Sequence, residues 1–139
     1  MKYFSIKELC RSRKAEELKI NNTPDEKIKR NLELFIETVL DPIREDWGSP
    51  IIVSSGWRSK RLNQAVGGVM NSGHLYGFCA DLQVSDVRKF ADFVYRWMLD
   101  HHMSWDEMLF ESSGGVTWLH LSWIGQDGKQ RKKRFDIIK

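Results

Sequence analysis

Cysteine is scarce in this chain: two in 139 residues, Cys10 and Cys79, distant from one another and in no metal-type or redox spacing. A cysteine metal cluster and a redox pair are thereby excluded, and both residues read as small buried apolar side chains without chemistry. A long apolar run is also missing, since no stretch approaches the roughly 20 residues of a membrane span. The opening Met-Lys-Tyr-Phe-Ser-Ile-Lys-Glu-Leu-Cys lacks the apolar segment of a secretory signal. The expectation is a protein made and left in the cytoplasm, reaching a site outside only if released. Nor is there an excess of one charge: 22 basic and 19 acidic residues leave a net +3. That is too mild to imply nucleic acid, though compatible with an anionic polymer as substrate. There is no internal repeat, linker or low-complexity segment. What is there, 41% hydrophobic and 29% charged residues, is the composition of an ordinary globular protein. Residues 1–139 fit one domain with a single core, expected to be a monomer.

Local patterns divide the chain into helices first and strands later. Ser5-Ile-Lys-Glu8 and Thr23-Pro-Asp-Glu26 have the form of capping boxes, the second with Pro at the first helical position. After it, Ile28, Leu32, Phe35, Ile36, Val39 and Ile43 recur at three- and four-residue intervals, an amphipathic helix that Pro42 should kink or interrupt. Gly48-Ser-Pro50 ends it, Ile51 to Val53 reads as a buried strand, and a short helix is expected over Arg61 to Val66. Ser85-Asp86 caps a second long helix ending near His101-His102, where a cation suits the helix dipole. Glu107 to Glu111, Val116 to Trp123 and Arg131 to Ile138 read as strands, with hairpin turns at Ser112–Gly115 and Gln126–Lys129. This order predicts an α+β fold on a mainly antiparallel sheet.

His74 and Asp81, with His120 at a distance, offer two imidazoles and one carboxylate. A catalytic zinc takes that set when a fourth position stays open for water. Strand alternation puts Leu119, Leu121 and Trp123 on the core side and Trp118, His120 and Ser122 on the other. In the same way Ala80, Leu82 and Val84 fill the core while Asp81 and Gln83 face away, so both strand ligands are expected on solvent-facing sides. Hydrolysis at such a site needs a base. Glu111 is the best candidate: one hairpin register sets it opposite His120, a shift of the centre by one residue sets it opposite Trp118 on the same face, and intermediate registers put it on the core face, where an unpaired carboxylate is costly. Glu107 and Asp106 are rivals placed further along the strand. Arg58, leaving a strand at the tight turn Ser54–Ser59, is positioned to clamp a carboxylate or steady an oxyanion. It could equally be a surface cation covering Trp57. The basic run Lys129–Arg134 reads as edge-strand protection and not as a nucleic-acid patch.

At these residues the chain resembles the zinc D-alanyl-D-alanine peptidase family, which includes D-Ala-D-Ala carboxypeptidases, vancomycin-resistance dipeptidases and L-alanyl-D-glutamate endopeptidases of phage endolysins. The resemblance runs from about Ile51 to about Phe135. The pattern Ser-x-His-x-x-Gly-x-Ala-x-Asp is met by Ser72, His74, Gly77 and Asp81, the upstream motif by Ser55-Gly56-Trp57-Arg58-Ser59, and Trp-x-His by Trp118 and His120. It implies His74, Asp81 and His120 as ligands of one zinc ion, Arg58, Ser72 and Trp118 as substrate-binding residues, peptidoglycan stem peptide as substrate, and a Hedgehog-like α+β fold. Two positions depart: Cys79 stands where Ala is usual, and Thr117, placed on the core side, stands where many members carry the base. Glu111 is then the base of a phage- or prophage-type subset. The competing reading is a non-catalytic, zinc-stabilised module that binds wall or protein.

Overall fold

A computed structural model describes residues 1–138. Two short helices, α1 (Ile6–Cys10) and α2 (Arg13–Glu17), open the chain, and the side chains of Ser5 and Ser12 cap them by accepting from Glu8 N and Ala15 N. The next helix, α3 (Glu26–Phe35), starts later than the Thr23 capping box predicts. Asp25 takes the cap by accepting from Ile28 N, since a carboxylate at the helix start satisfies a free N–H and suits the dipole. Pro42 does not end the helix. A single π-turn, Ile36–Leu40, in which Asp41 N–H reaches back to Ile36 O, precedes it, and α4 (Asp41–Trp47) carries on. The wider turn makes room for a residue that has no N–H to give. Gly48, at φ 77°, then closes the run in the left-handed conformation that glycine adopts without steric cost.

The sheet has the order β1-β2-β4-β3-β5, from β1 (Ile52–Ser55), β2 (Cys79–Gln83), β3 (Glu107–Ser113), β4 (Val116–Ser122) and β5 (Lys133–Ile138). Every neighbouring pair is antiparallel except β3 and β5. The second expected hairpin, across Gln126–Lys129, does not form. Gln126–Lys129 is a turn, with Gly125 N–H on Lys129 O, but it does not join hairpin neighbours. β2 already occupies the second edge of β4, so β5 passes to the free edge of β3 and runs parallel to it. The basic run thus lies on and before an edge strand, as the sequence suggested. β1 is the other edge, which explains a second difference: Ile51 and Val53 are buried while Ile52 between them is 61% exposed.

One face of the sheet holds the core. Ala80, Leu82, Met108, Leu119 and Leu121 meet Leu32, Phe35, Ile36 and Val39 and the inner face of α6 (Val87–Asp100), where Phe90, Val94, Trp97 and Met98 are buried. Asp86 caps α6 through Lys89 N, and His101 ends it by donating from Nδ1 to Trp97 O at 2.8 Å, the helix-end role expected of that histidine. The opposite face carries Cys79 and Asp81 on β2, Trp118 and His120 on β4, and Glu107, Leu109 and Glu111 on β3. The segment between β1 and β2, with α5 (Lys60–Ala65) and a 3-10 turn at Gly73–Leu75, folds beside it. No helix is long and apolar enough to cross a membrane among the described residues.

Candidate metal centre

Three separate pieces of backbone bring the ligand-type residues together. Asp81 and His120 are direct partners across β2 and β4. His74 arrives from the 3-10 turn, which Ser72 caps by accepting from His74 N at 3.2 Å. The turn is tied to the end of β1: Arg58 N–H bonds His74 O at 2.8 Å, and Trp57 Nε1 bonds Leu75 O at 3.1 Å. These ties lay the turn over the strand face. As a result the site is not on a solvent-facing side, as alternation alone predicts. His74, Asp81 and His120 are 4%, 8% and 9% exposed. Alternation decides which face a residue points to; whether that face is wet depends on what else folds over it.

Within the cluster Asp81 Oδ1 lies 2.9 Å from His120 Nδ1 and 3.3 Å from His74 Nε2. His74 Nδ1 sits 2.7 Å from Gly56 O and donates to it, while Nε2 faces the Asp81 carboxylate and is the nitrogen a metal would take in place of a proton. His120 Nε2 approaches Glu107 Oε1 at 3.5 Å, and its Nδ1 approaches Glu111 Oε1 at 3.7 Å. The hairpin turns on Gly114 and Gly115, which sets Glu111 opposite Trp118; this is the second of the two expected registers, and Glu111 shares the His120 face. Trp118 Nε1 donates to Glu111 Oε1 at 3.1 Å and steadies it. Glu107 is not further from the cluster than Glu111, contrary to the reading along the strand. Residues four apart on one strand flank the residue opposite their midpoint, and that residue, facing Leu109, is His120. Asp106 is elsewhere, buried and bonded to the backbone and guanidinium of Arg131.

Cys79 is buried, as expected of a small apolar side chain, but it is buried beside the polar cluster. It lies on the same face as Asp81, two positions before it, with Sγ 3.8 and 3.7 Å from Nδ1 and Nε2 of His120. The alternation argument applied to Asp81 carries the signal for Cys79 as well. Burial pushes its thiol up, but the His120 and His74 imidazoles outweigh that and hold it down to about 7. Cys10 shows the contrast: burial alone pushes it up to about 11. For His74, burial disfavours the charge, yet Cys79 and the hydrogen bond to Asp81 prevail and raise it to about 10. His120 rises for the same reasons, against its burial. Asp81 is lowered: its burial is overcome by hydrogen bonds to His120 and His74. The hydrogen bond to His120 lowers Glu107.

These donors could hold a metal ion. Ligand atoms within 4.8 Å of one another form two sets that share His120: one with His74 and Cys79, the other with Asp81 and Glu111. Arg58 stands beside them and not among them. Its Nε bonds Ser55 Oγ at 3.2 Å and its Nη1 bonds Asn63 Oδ1 at 3.0 Å, and among the described residues no carboxylate pairs with it. It borders a cavity of about 540 Å³ that Gly56, Ser54 and Ser55 also line, rimmed by Arg11, Arg13 and Lys14. No curated protein matches the chain. A family model described as Peptidase M15 matches residues 2–113, a span that contains Arg58, His74, Asp81, Glu107 and Glu111 and stops short of His120. The match covers most of the chain, which therefore belongs to the peptidase M15 family of zinc-dependent metallopeptidases.

Proposed function

We propose that residues 1–139 form a single zinc peptidase domain that hydrolyses stem peptides of peptidoglycan, as a D-Ala-D-Ala carboxypeptidase or an endopeptidase of the phage-endolysin type. The observation that carries this reading is the convergence of His74, Asp81 and His120 from three pieces of backbone, with Glu111 3.7 Å from His120. The donor set fits zinc. Separations of 2.9 and 3.3 Å around Asp81 Oδ1 approach the roughly 3.3 Å edge of a tetrahedron with bonds of about 2.0 Å. Each imidazole also has an outer partner that sets its tautomer, Gly56 O for His74 and Glu107 for His120, the supporting arrangement metal-binding histidines need.

His74 Nε2, Asp81 and His120 Nδ1 would hold the ion. Bound there, zinc would supply Lewis acidity, polarising a peptide carbonyl and making water a competent nucleophile near neutral pH. The remaining work falls to side chains. Glu111, held by the Trp118 indole, takes the proton of the attacking water and passes it to the departing amine. Arg58 is clamped by Ser55 and Asn63 through two of its nitrogens, and its Nη2 is free for a substrate carboxylate or a developing oxyanion. A cation with neutral partners beside a cavity with a basic rim suits an acidic peptide. Ser72 serves through His74, by fixing the turn that presents it, and Trp118 through Glu111.

Mass spectrometry of purified peptidoglycan digested with and without chelator tests the reading and identifies the bond. Cleaved stem peptides, lost on chelation and absent with His120→Ala, are expected. Zinc-dependent binding to the wall without any cleavage would return the chain to the non-catalytic module.

A further inference from the structure

We infer that Cys79 is itself a ligand of this centre, its sulfur taking the coordination position beside His74 and His120 that water or substrate must otherwise fill. The inference rests on the zinc reading and deepens it. Cys79 and Asp81 are two apart on β2, so the pleat puts both side chains on the same face. On β4 Asp81 faces His120 and Cys79 faces Ser122, so His120 is the diagonal neighbour of Cys79, with its two ring nitrogens 3.8 and 3.7 Å from Sγ. The compact set that contains both imidazoles is completed by Cys79 and not by Asp81, which groups with Glu111 and His120. A tetrahedral zinc with Zn–S of about 2.3 Å and Zn–N of about 2.0–2.1 Å has sulfur–nitrogen edges of roughly 3.5 Å. The separation that matters, from Sγ to the ligand nitrogen Nδ1 of His120, is 3.8 Å and exceeds that by a few tenths of an ångström.

The surroundings of the thiol are those of a ligand and not of a core residue. Cys79 is fully buried, yet the hydrophobic core of the opposite face does not include it. A Cβ placed on Gly73 would meet its Sγ at 3.5 Å, so the backbone of the turn lies close over the sulfur. Ligation exchanges the S–H bond for an S–metal bond and releases one proton to solvent, with no change in oxidation state. With Cys79 added to His74, Asp81 and His120 four positions would be filled, so the water that Glu111 deprotonates would enter by displacing the sulfur or as a fifth ligand. A soft donor also moves metal preference towards zinc and away from hard oxygen-seeking ions.

X-ray absorption at the zinc edge of the full-length, zinc-loaded protein decides the matter. One sulfur scatterer at about 2.3 Å beside a nitrogen and oxygen shell at about 2.0–2.2 Å is expected. In Cys79→Ala the zinc should remain and the sulfur shell should vanish; Cys79→Ser serves if the smaller side chain impairs folding. The cobalt-loaded wild type should show a sulfur-to-metal charge-transfer band that both variants lack. A wild-type shell of nitrogen and oxygen alone overturns the inference and leaves the zinc reading standing. A protein that holds no zinc, or holds it unchanged after His120→Ala, overturns both.

Discussion

Glu111 and Glu107 are the same residue type on the same strand and face, and their surroundings differ. Glu107 meets the outer nitrogen of His120, and that hydrogen bond keeps it ionised to low pH, as an orienting acceptor should be. Glu111 meets the inner nitrogen, with its other contact a neutral indole N–H. Glu111→Gln should therefore keep the fold and the zinc while hydrolysis falls by roughly 10²–10⁴-fold, because an amide cannot accept the proton. Thr117→Ala, on the other face of β4, should cost mainly stability. Turnover of both variants on one muropeptide checks the pair, and an active Glu111→Gln removes the role given to Glu111. Arg58→Ala should leave zinc content intact and lower turnover or binding by roughly 30- to 1000-fold, the loss of about 2–4 kcal/mol from a placed charge. Steady-state kinetics with parallel metal analysis reads this directly, and unchanged kinetics would make Arg58 a cover for Trp57.

At the scale of elements, the helical run from Glu26 to Trp47 shows how a local irregularity places a residue. The π-turn ahead of Pro42 leaves Asp41 buried beside the chain start. There its carboxylate accepts from the backbone N–H groups of Tyr3 and Phe4 at 3.1 and 3.0 Å, and from that of Lys2. The N-terminal segment is pinned in this way, and α1 follows it to Leu9, whose carbonyl accepts from Trp57 N at 2.7 Å at the base of the site. Asp41→Ala strands these donors and should destabilise the fold by about 2–3 kcal/mol. Urea unfolding of wild type and variant, compared at equal slope, measures it; an unchanged midpoint would show that the N-terminal segment is not held by Asp41.

For the whole molecule, metal and protons compete for the same buried atoms. His74 is raised to about 10 against an ordinary 6.5, so zinc has to displace a proton from it, and zinc affinity should climb as pH rises towards about 10. With chelator present the sign for stability is the reverse. A raised imidazole contributes fully below about 6.5 and loses that contribution as pH climbs through about 10. Chelated protein should lose stability towards alkaline pH, and zinc-loaded protein should not. Thermal unfolding across that range, with and without chelator, separates the two, and parallel curves would show that the cluster does not titrate as a unit with folding.

Donor chemistry, and the facing of Asp81 and His120, were legible in the sequence because both are local. Imidazoles and carboxylates are visible as letters, and the two-residue period of a strand turns Asp81 and His120 away from the core, whereas the face of Glu111 waited on the hairpin register. The α+β order, the caps at Ser5 and Asp86 and the glycine turn of the β3–β4 hairpin follow from equally short-range rules. Tertiary structure decided what depends on closure over long separations. It decided that the 3-10 turn covers the strand face and buries the site, that β5 crosses to β3 because β4 has no edge left, and that Glu107 reaches the far nitrogen of His120. It also decided the meaning of Cys79. Alternation puts it on the face of Asp81, but only the pairing of β2 with β4 sets its sulfur beside an imidazole forty-one residues away.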